Sequence, residues 1–277
     1  SFKEFEILDC NQLFLSFNSF RIKQKEVFIN NLIFILNAPA LNYIFSMFSF
    51  NKMHEKYKLI ISNISVKLPF SEIVIFSLVD RLEYDGESHI SVDRFSVKSS
   101  QLESNDDSLK NYIIDPISFV VNVSYDDNDL VISRLHLDQL NIITEPQEIK
   151  NILEVFSFFK NFLISKSINF ETNWEFDLIK FSLIRSKTQK DNTIACVEIN
   201  SFQCQISVIE DQFSLKIDCK KIIDSKEELY KCIKCKSPIS LSFKEIDKKA
   251  EVTAVANNID LFLSPELIMY YIDLNSF

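Results

Sequence analysis

One segment occurs three times in this chain, and its spacing constrains the fold more than any other feature. The copies read Asn31-Leu32-Ile33-Phe34-Ile35-Leu36-Asn37-Ala38-Pro39-Ala40-Leu41, Gln139-Leu140-Asn141-Ile142-Ile143-Thr144-Glu145-Pro146-Gln147-Glu148-Ile149 and Asn258-Ile259-Asp260-Leu261-Phe262-Leu263-Ser264-Pro265-Glu266-Leu267-Ile268. Each is an apolar run of little charge, then Asn, Thr or Ser, then Pro, then apolar residues at helical spacing. Pro39, Pro146 and Pro265 stand 107 and 119 residues apart. A period that long implies a module of several strands closed by a helix.

Between the proline segments, apolar residues alternate with polar ones at the period of a half-buried strand. The second block offers five strands, around Ile64–Phe70, Ile73–Tyr84, Ile90–Val97, Ile117–Val123 and Leu130–Ile143. The third of these slips by one residue between Val92 and Phe95, the mark of a bulge. The third block repeats the plan around Phe170–Leu183, Phe202–Val208, Phe213–Cys219, Ile239–Phe243 and Val252–Leu263. Asp115-Pro116-Ile117-Ser118 and Ser237-Pro238-Ile239-Ser240 both open the fourth strand, where a proline is tolerated. Thr144-Glu145-Pro146-Gln147 reads as a helix start, with Ile149, Ile152, Leu153, Phe156 and Phe159 on one face.

The expected modules are 1–58 (the end of one module and its crossing helix), 59–166 (five strands and a helix) and 167–277 (five strands and the start of a helix). Hairpin-linked strands alternate in direction, so an odd set ends opposite its start and the helical link must cross back. The expected fold class is all-β with short helices: repeating five-strand antiparallel modules in an open, twisted hydrophobic groove. Such a sheet has one apolar and one polar face. With only short helices to cover it, the apolar face reads as a binding surface. The alternative is a closed β-sandwich serving as a protein-interaction or scaffold module.

Composition removes several function classes. Gly86 is the one glycine, too few for the phosphate-cradling turns of nucleotide-binding folds. A net charge of −9 without a basic, aromatic-interleaved stripe argues against nucleic acid. The uncharged run 27–51 is long enough to raise a membrane span, but Pro39 with Asn30, Asn31, Asn37 and Asn42 favours a strand and then a helix. Cys232-x-x-Cys235 is half a zinc site without its second half, so no metal is expected. The cysteines read as reduced structural thiols of a cytosol-facing chain. His54, His89 and His136 lack a nucleophile in a recognisable arrangement, so no catalytic residue, cofactor or enzyme activity is expected. The start at Ser1 and the end within an apolar, helix-like pattern read as an excised piece of a longer protein.

The repeat grammar resembles that of the bridge-like lipid-transfer proteins, the chorein-type or repeating β-groove family. It is carried by Pro116-Ile117-Ser118-Phe119 and Pro238-Ile239-Ser240-Leu241 at fourth strands, and by the segments ending in Pro39, Pro146 and Pro265. The resemblance implies passive, bulk transfer of glycerophospholipids along the groove at organelle contact sites. Its implied partners are phospholipid acyl chains and a membrane at each end of the parent protein, with adaptor proteins unspecified. The implied location is cytoplasmic and peripheral to organelle membranes. Strand periodicity nominates the groove floor: Ile33, Ile35, Phe119, Val121, Leu140, Ile142, Phe202, Ile206, Phe213, Leu215, Leu241, Phe243, Ile259 and Leu261.

Overall fold

A computed structural model describes residues 5–9, 12–35, 57–69, 73–101, 112–125, 131–165, 169–185, 193–209, 212–224, 233–246 and 249–262, with 265, 268 and 269. Strand dominates these residues, as the period-two alternation requires, and one long helix interrupts it. The crossing helix expected after Pro39 and the polar loop expected at 101–110 lie almost wholly outside them. The chain parts into two compact units, 1–122 and 123–277.

In the first unit the strands are β1 (Phe5–Asp9), β2 (Gln12–Phe17), β3 (Ser19–Lys23), β4 (Glu26–Ile35), β5 (Lys58–Pro69), β6 (Ile73–Tyr84), β7 (His89–Gln101) and β8 (Tyr112–Tyr125). β1 pairs antiparallel with β2, and β2 and β3, consecutive across Asn18, both pair antiparallel with β4. β5 to β8 pair antiparallel in order, but β4 and β5 are parallel, with Val27 opposite Leu59 and Phe34 opposite Val66. That exception is the mark of a crossing link after an odd strand set. The β3–β4 hairpin turns on Gln24 and Lys25, with φ of 46° and 66°. Two left-handed residues in a two-residue turn give the twist that hairpins favour, usually supplied by Asn-Gly; Gln-Lys hides it from a sequence reader.

In the second unit β9 (Val131–Thr144) is followed by helix α1 (Pro146–Ser165) and then β10 (Phe170–Ile184), β11 (Thr193–Ile209), β12 (Gln212–Cys219), β13 (Lys221–Asp224), β14 (Ile233–Cys235), β15 (Ile239–Ile246), β16 (Lys249–Ala256) and β17 (Ile259–Leu261). Here β9 and β10 form the parallel pair across the link, and the remaining pairs are antiparallel. The start of α1 sits one residue beyond the expected box. The backbone N–H of Glu145 donates to the Glu148 carboxylate at 2.9 Å, so Glu148, not Gln147, closes the cap, where its charge also meets the helix dipole.

The strands bend where their ladders break. In the first unit the break runs through Asn18, Asn31 (φ 53°), Asn63 (φ 54°), Asp80 and Arg94 (φ 51°). In the second it runs through Asp138, Asp177, Ser201 (φ 51°), Lys220, Pro238 and Asn258 (φ 54°). A residue dropped from the ladder bends its strand and reverses the in-out alternation beyond it. Aligned across successive strands, these breaks form a fold line crossing each sheet. The expected bulge in β7 belongs to this line. Pro116, expected to open a strand, instead stands inside β8 at a gap in its ladder with β7, where a missing N–H costs no hydrogen bond. Pro238 does open β15, which continues β14 past the bend.

Candidate functional site

Directly paired residues share a sheet face, so the registers assign both faces of each unit. In the first unit one face carries Ile29, Leu32 and Phe34 of β4; Leu59, Ile61, Ile64 and Val66 of β5; and Val79 and Leu82 of β6. It continues through Ile90 and Val92 of β7 to Ile117, Phe119 and Val121 of β8. The Phe95 and Phe119 rings meet edge-on at 5.8 Å. Leu32, Ile61 and Ile64 are its buried centre.

The opposite face is wetted. Lys58 bridges Glu83 at 2.6 Å and Arg81 bridges the same carboxylate at 2.7 Å. The hydrogen bond from Lys58 holds the Glu83 carboxyl below its ordinary value and raises the ammonium in turn. Aromatic rings on this face lie under cations, Arg21 over Phe28 at 5.0 Å and Lys67 over Phe76 at 5.8 Å.

Ile33 and Ile35 fall on this second face, opposite Ser65 and Lys67. They are therefore not on the surface that holds Phe119 and Val121. The cause is Asn31: its left-handed backbone shifts the parity, so the residues that join the apolar face are Leu32 and Phe34. The repeat alignment carries the same answer, because Leu32 and Phe34 stand where the other copies have Leu140 and Ile142, or Ile259 and Leu261.

The second unit has a larger apolar face. It holds Leu140 and Ile142 of β9, Trp174, Phe176, Ile179 and Phe181 of β10, and Phe202, Cys204, Ile206 and Val208 of β11. Phe213, Leu215 and Ile217 of β12 and Leu241 and Phe243 of β15 extend it. Val252 of β16 and Ile259 and Leu261 of β17 complete it. All ten nominated floor residues of this unit thus share one face, through every parity switch. Phe176–Phe202 and Phe213–Phe243 meet across strands as tilted ring pairs with centroids 5.9 Å apart.

Most of these side chains are half-buried. Phe176, Ile179 and Phe213 are buried, whereas Trp174 is 39% exposed and Leu261 65%. The sheets are open, and no second sheet among the described residues covers the apolar side. Its polar atoms are few and matched: Ser133 donates to Thr172 at 2.7 Å. Burial pushes the Cys204 thiol up to about 11 and raises that of Cys219, so both stay protonated and behave as small apolar groups. The Cys235 thiol donates to the carbonyls of Ser237 and Asn257; Cys232 lies outside the described residues.

The reverse face of the second unit collects what periodicity alone does not. His136, Glu175, Gln203, Asp218 and Ser240 form one row across five strands, lining a shallow trough of about 400 Å³ along the bend. The His136 ring lies 3.8 Å from Asp138, 3.9 Å from Asp177 and 3.9 Å from Glu175. His136 is on the polar side of its strand, as its alternation with Leu135 and Leu137 requires. Asp138 and Asp177 join it because both drop out of the ladder at the bend, a juxtaposition no spacing in the sequence announces. These groups are exposed and belong to the wetted face.

No protein-family model matches the chain, and no curated protein matches its sequence. Among the described residues no helix is long and apolar enough to cross a membrane.

Proposed function

We propose that the chain is a lipid-binding β-groove, a non-enzymatic segment along which glycerophospholipid acyl chains lie and slide between membranes. One observation carries this reading: each unit is an open sheet with a contiguous, half-exposed apolar face backed by a charged one. Apolar surface left to water costs about 25 cal/mol per Å², so a face this broad is retained where something apolar covers it. Acyl chains fit, because the face offers continuous Phe, Ile, Leu and Val contact with few hydrogen-bonding atoms to demand a particular partner. A floor of uniform chemistry holds a chain without trapping it. The aligned bends support the same reading, since they crease each sheet along the line that crosses its strands.

The repeat grammar is similar to that of bridge-like lipid-transfer proteins, and the two parallel pairs that follow a crossing link fit that grammar. On this reading the protein works at the cytoplasmic side of membrane contact sites, its parent reaching a bilayer at either end. The closed-sandwich alternative requires each apolar face to be sealed, and within each unit no second sheet among the described residues covers it.

Native mass spectrometry of the purified chain tests the proposal. The expected result is co-purified glycerophospholipid, with Leu241→Asp folded but empty, because an acyl chain cannot pass a charge without desolvating it. A lipid-free wild-type protein, or an L241D variant that carries lipid as before, overturns it.

A further inference from the structure

Glu245, the register partner of Phe213, places a carboxylate on the apolar face of the second unit. A carboxylate on such a face is costly unless it is paired. Its partner comes from the crossing helix: Lys160 of α1 reaches down to Glu245 Oε2 at 2.6 Å and lies 5.5 Å above the Phe213 ring. Both groups are mostly shielded, at 19% and 28% side-chain exposure. Their position is informative. Phe213 is the second residue of β12 and Glu245 the second-last of β15, so the pair stands at the rim of the apolar face, where strands end and water begins. A phospholipid whose chains lie on the floor places its headgroup at such a rim.

We propose that Lys160 and Glu245 read the lipid headgroup, opening their mutual ion pair to accept a zwitterionic one, phosphate to Lys160 and ammonium to Glu245. The inference rests on the groove reading above. One ion pair becomes two, so neither protein charge is left unpaired in a shielded place. A headgroup with net negative charge and no cation satisfies Lys160 but sets its own charge beside Glu245. That repulsion discriminates between lipid classes, as an unfavourable contact with the wrong ligand does in general. Lys160 and Glu245 are thus specificity residues, while the floor supplies affinity for any acyl chain.

The test loads the full chain from vesicles of equal phosphatidylcholine and phosphatidylglycerol, then measures bound lipid by mass spectrometry. Wild type is expected to be enriched in phosphatidylcholine. Glu245→Gln should move the bound ratio toward phosphatidylglycerol by roughly threefold, the scale of a partly exposed ion pair, with total lipid unchanged. The double variant Lys160→Met, Glu245→Gln leaves no unpaired charge to disturb folding and should show no preference. A bound ratio that stays at the wild-type value in both variants, with lipid still carried, means the pair only pins the helix and overturns the proposal. A wild-type protein carrying no lipid of either class refutes the groove itself, a separate outcome.

Discussion

β4 and β9 carry two copies of the same segment, and each makes a parallel pair with the strand that follows its crossing link. They differ in how openly they show their faces. β9 alternates Leu140-Asn141-Ile142, and the asparagine marks its wetted side. β4 reads Leu32-Ile33-Phe34-Ile35, apolar on both sides, so the choice between its two faces is not visible in that strand alone. The wetted face of β4 tolerates isoleucine because its neighbours there supply the polarity: Ile35 stands opposite Lys67, and cations lie over the nearby Phe28 and Phe76 rings. Strand composition reports the surroundings of a face as much as the face itself.

Charge insertion breaks this comparison most forcefully. Leu32→Asp places a carboxylate in the buried centre of the first unit and should cost about 3–5 kcal/mol, enough to unfold it in a thermal melt. Ile33→Asp, one residue on, should cost under about 1 kcal/mol because it meets a wetted face. The same contrast is expected between Leu140→Asp and Asn141→Asp, with the smaller gap that a half-buried leucine allows. Equal losses for Leu32 and Ile33 would mean the parity switch at Asn31 is wrong.

Gly86 has φ of 88°, and a Cβ there would lie 3.0 Å from the Tyr57 carbonyl oxygen. Gly86→Ala should therefore lower stability by roughly 2 kcal/mol, from the left-handed backbone and the clash together, read as a drop in the denaturant midpoint at constant slope.

Asn63 sharpens the account of the bend. Its side chain donates to Asn31 at 2.9 Å, tying two left-handed residues of adjacent strands. Asn63→Ala should cost about 1–2 kcal/mol, whereas Asn63→Gly, which suits the same φ, should recover part of that loss. If both variants melt alike, the hydrogen bond dominates and the backbone preference does not.

The smallest effect is one of pH. Backbone N–H groups of Glu87, His89 and Ser88 all donate to Asp85 in the β6–β7 turn, holding its carboxyl well below the usual range. A depressed carboxylate contributes fully above its unfolded pKa of about 3.9 and loses that contribution as the pH falls towards the folded value. The contribution of Asp85 to the melting temperature should thus be constant around neutral pH and be lost as the pH falls below about 4. Asp85→Asn should flatten that acid limb.

Much of the architecture was legible because its signals are local. Alternation revealed most of the strands, Pro146 with the apolar spacing after it revealed α1, and the odd strand count required the parallel pairs. The bend was less legible. Left-handed backbone at Asn63, Arg94 and Ser201 leaves no trace in hydrophobic pattern except a change of parity, and that change was plain only where flanking residues were polar, as in β7. The apolar-face residues of the second unit were legible because polar residues alternate with them and mark its opposite face. Ile33 and Ile35 could not be sorted because both sides of β4 are apolar. Lys160 and Glu245 lie 85 residues apart, and only the crossing helix brings them together.

Trp174 offers the most direct test of the central claim. It is the chain's one tryptophan, on the apolar face of the second unit and 39% exposed. Its fluorescence therefore reports that face and nothing else. Titration with phospholipid brominated along the acyl chain should quench the emission and shift it to the blue. Emission that stays unquenched at saturating lipid would contradict the account, because acyl chains lying on this floor cannot avoid the indole.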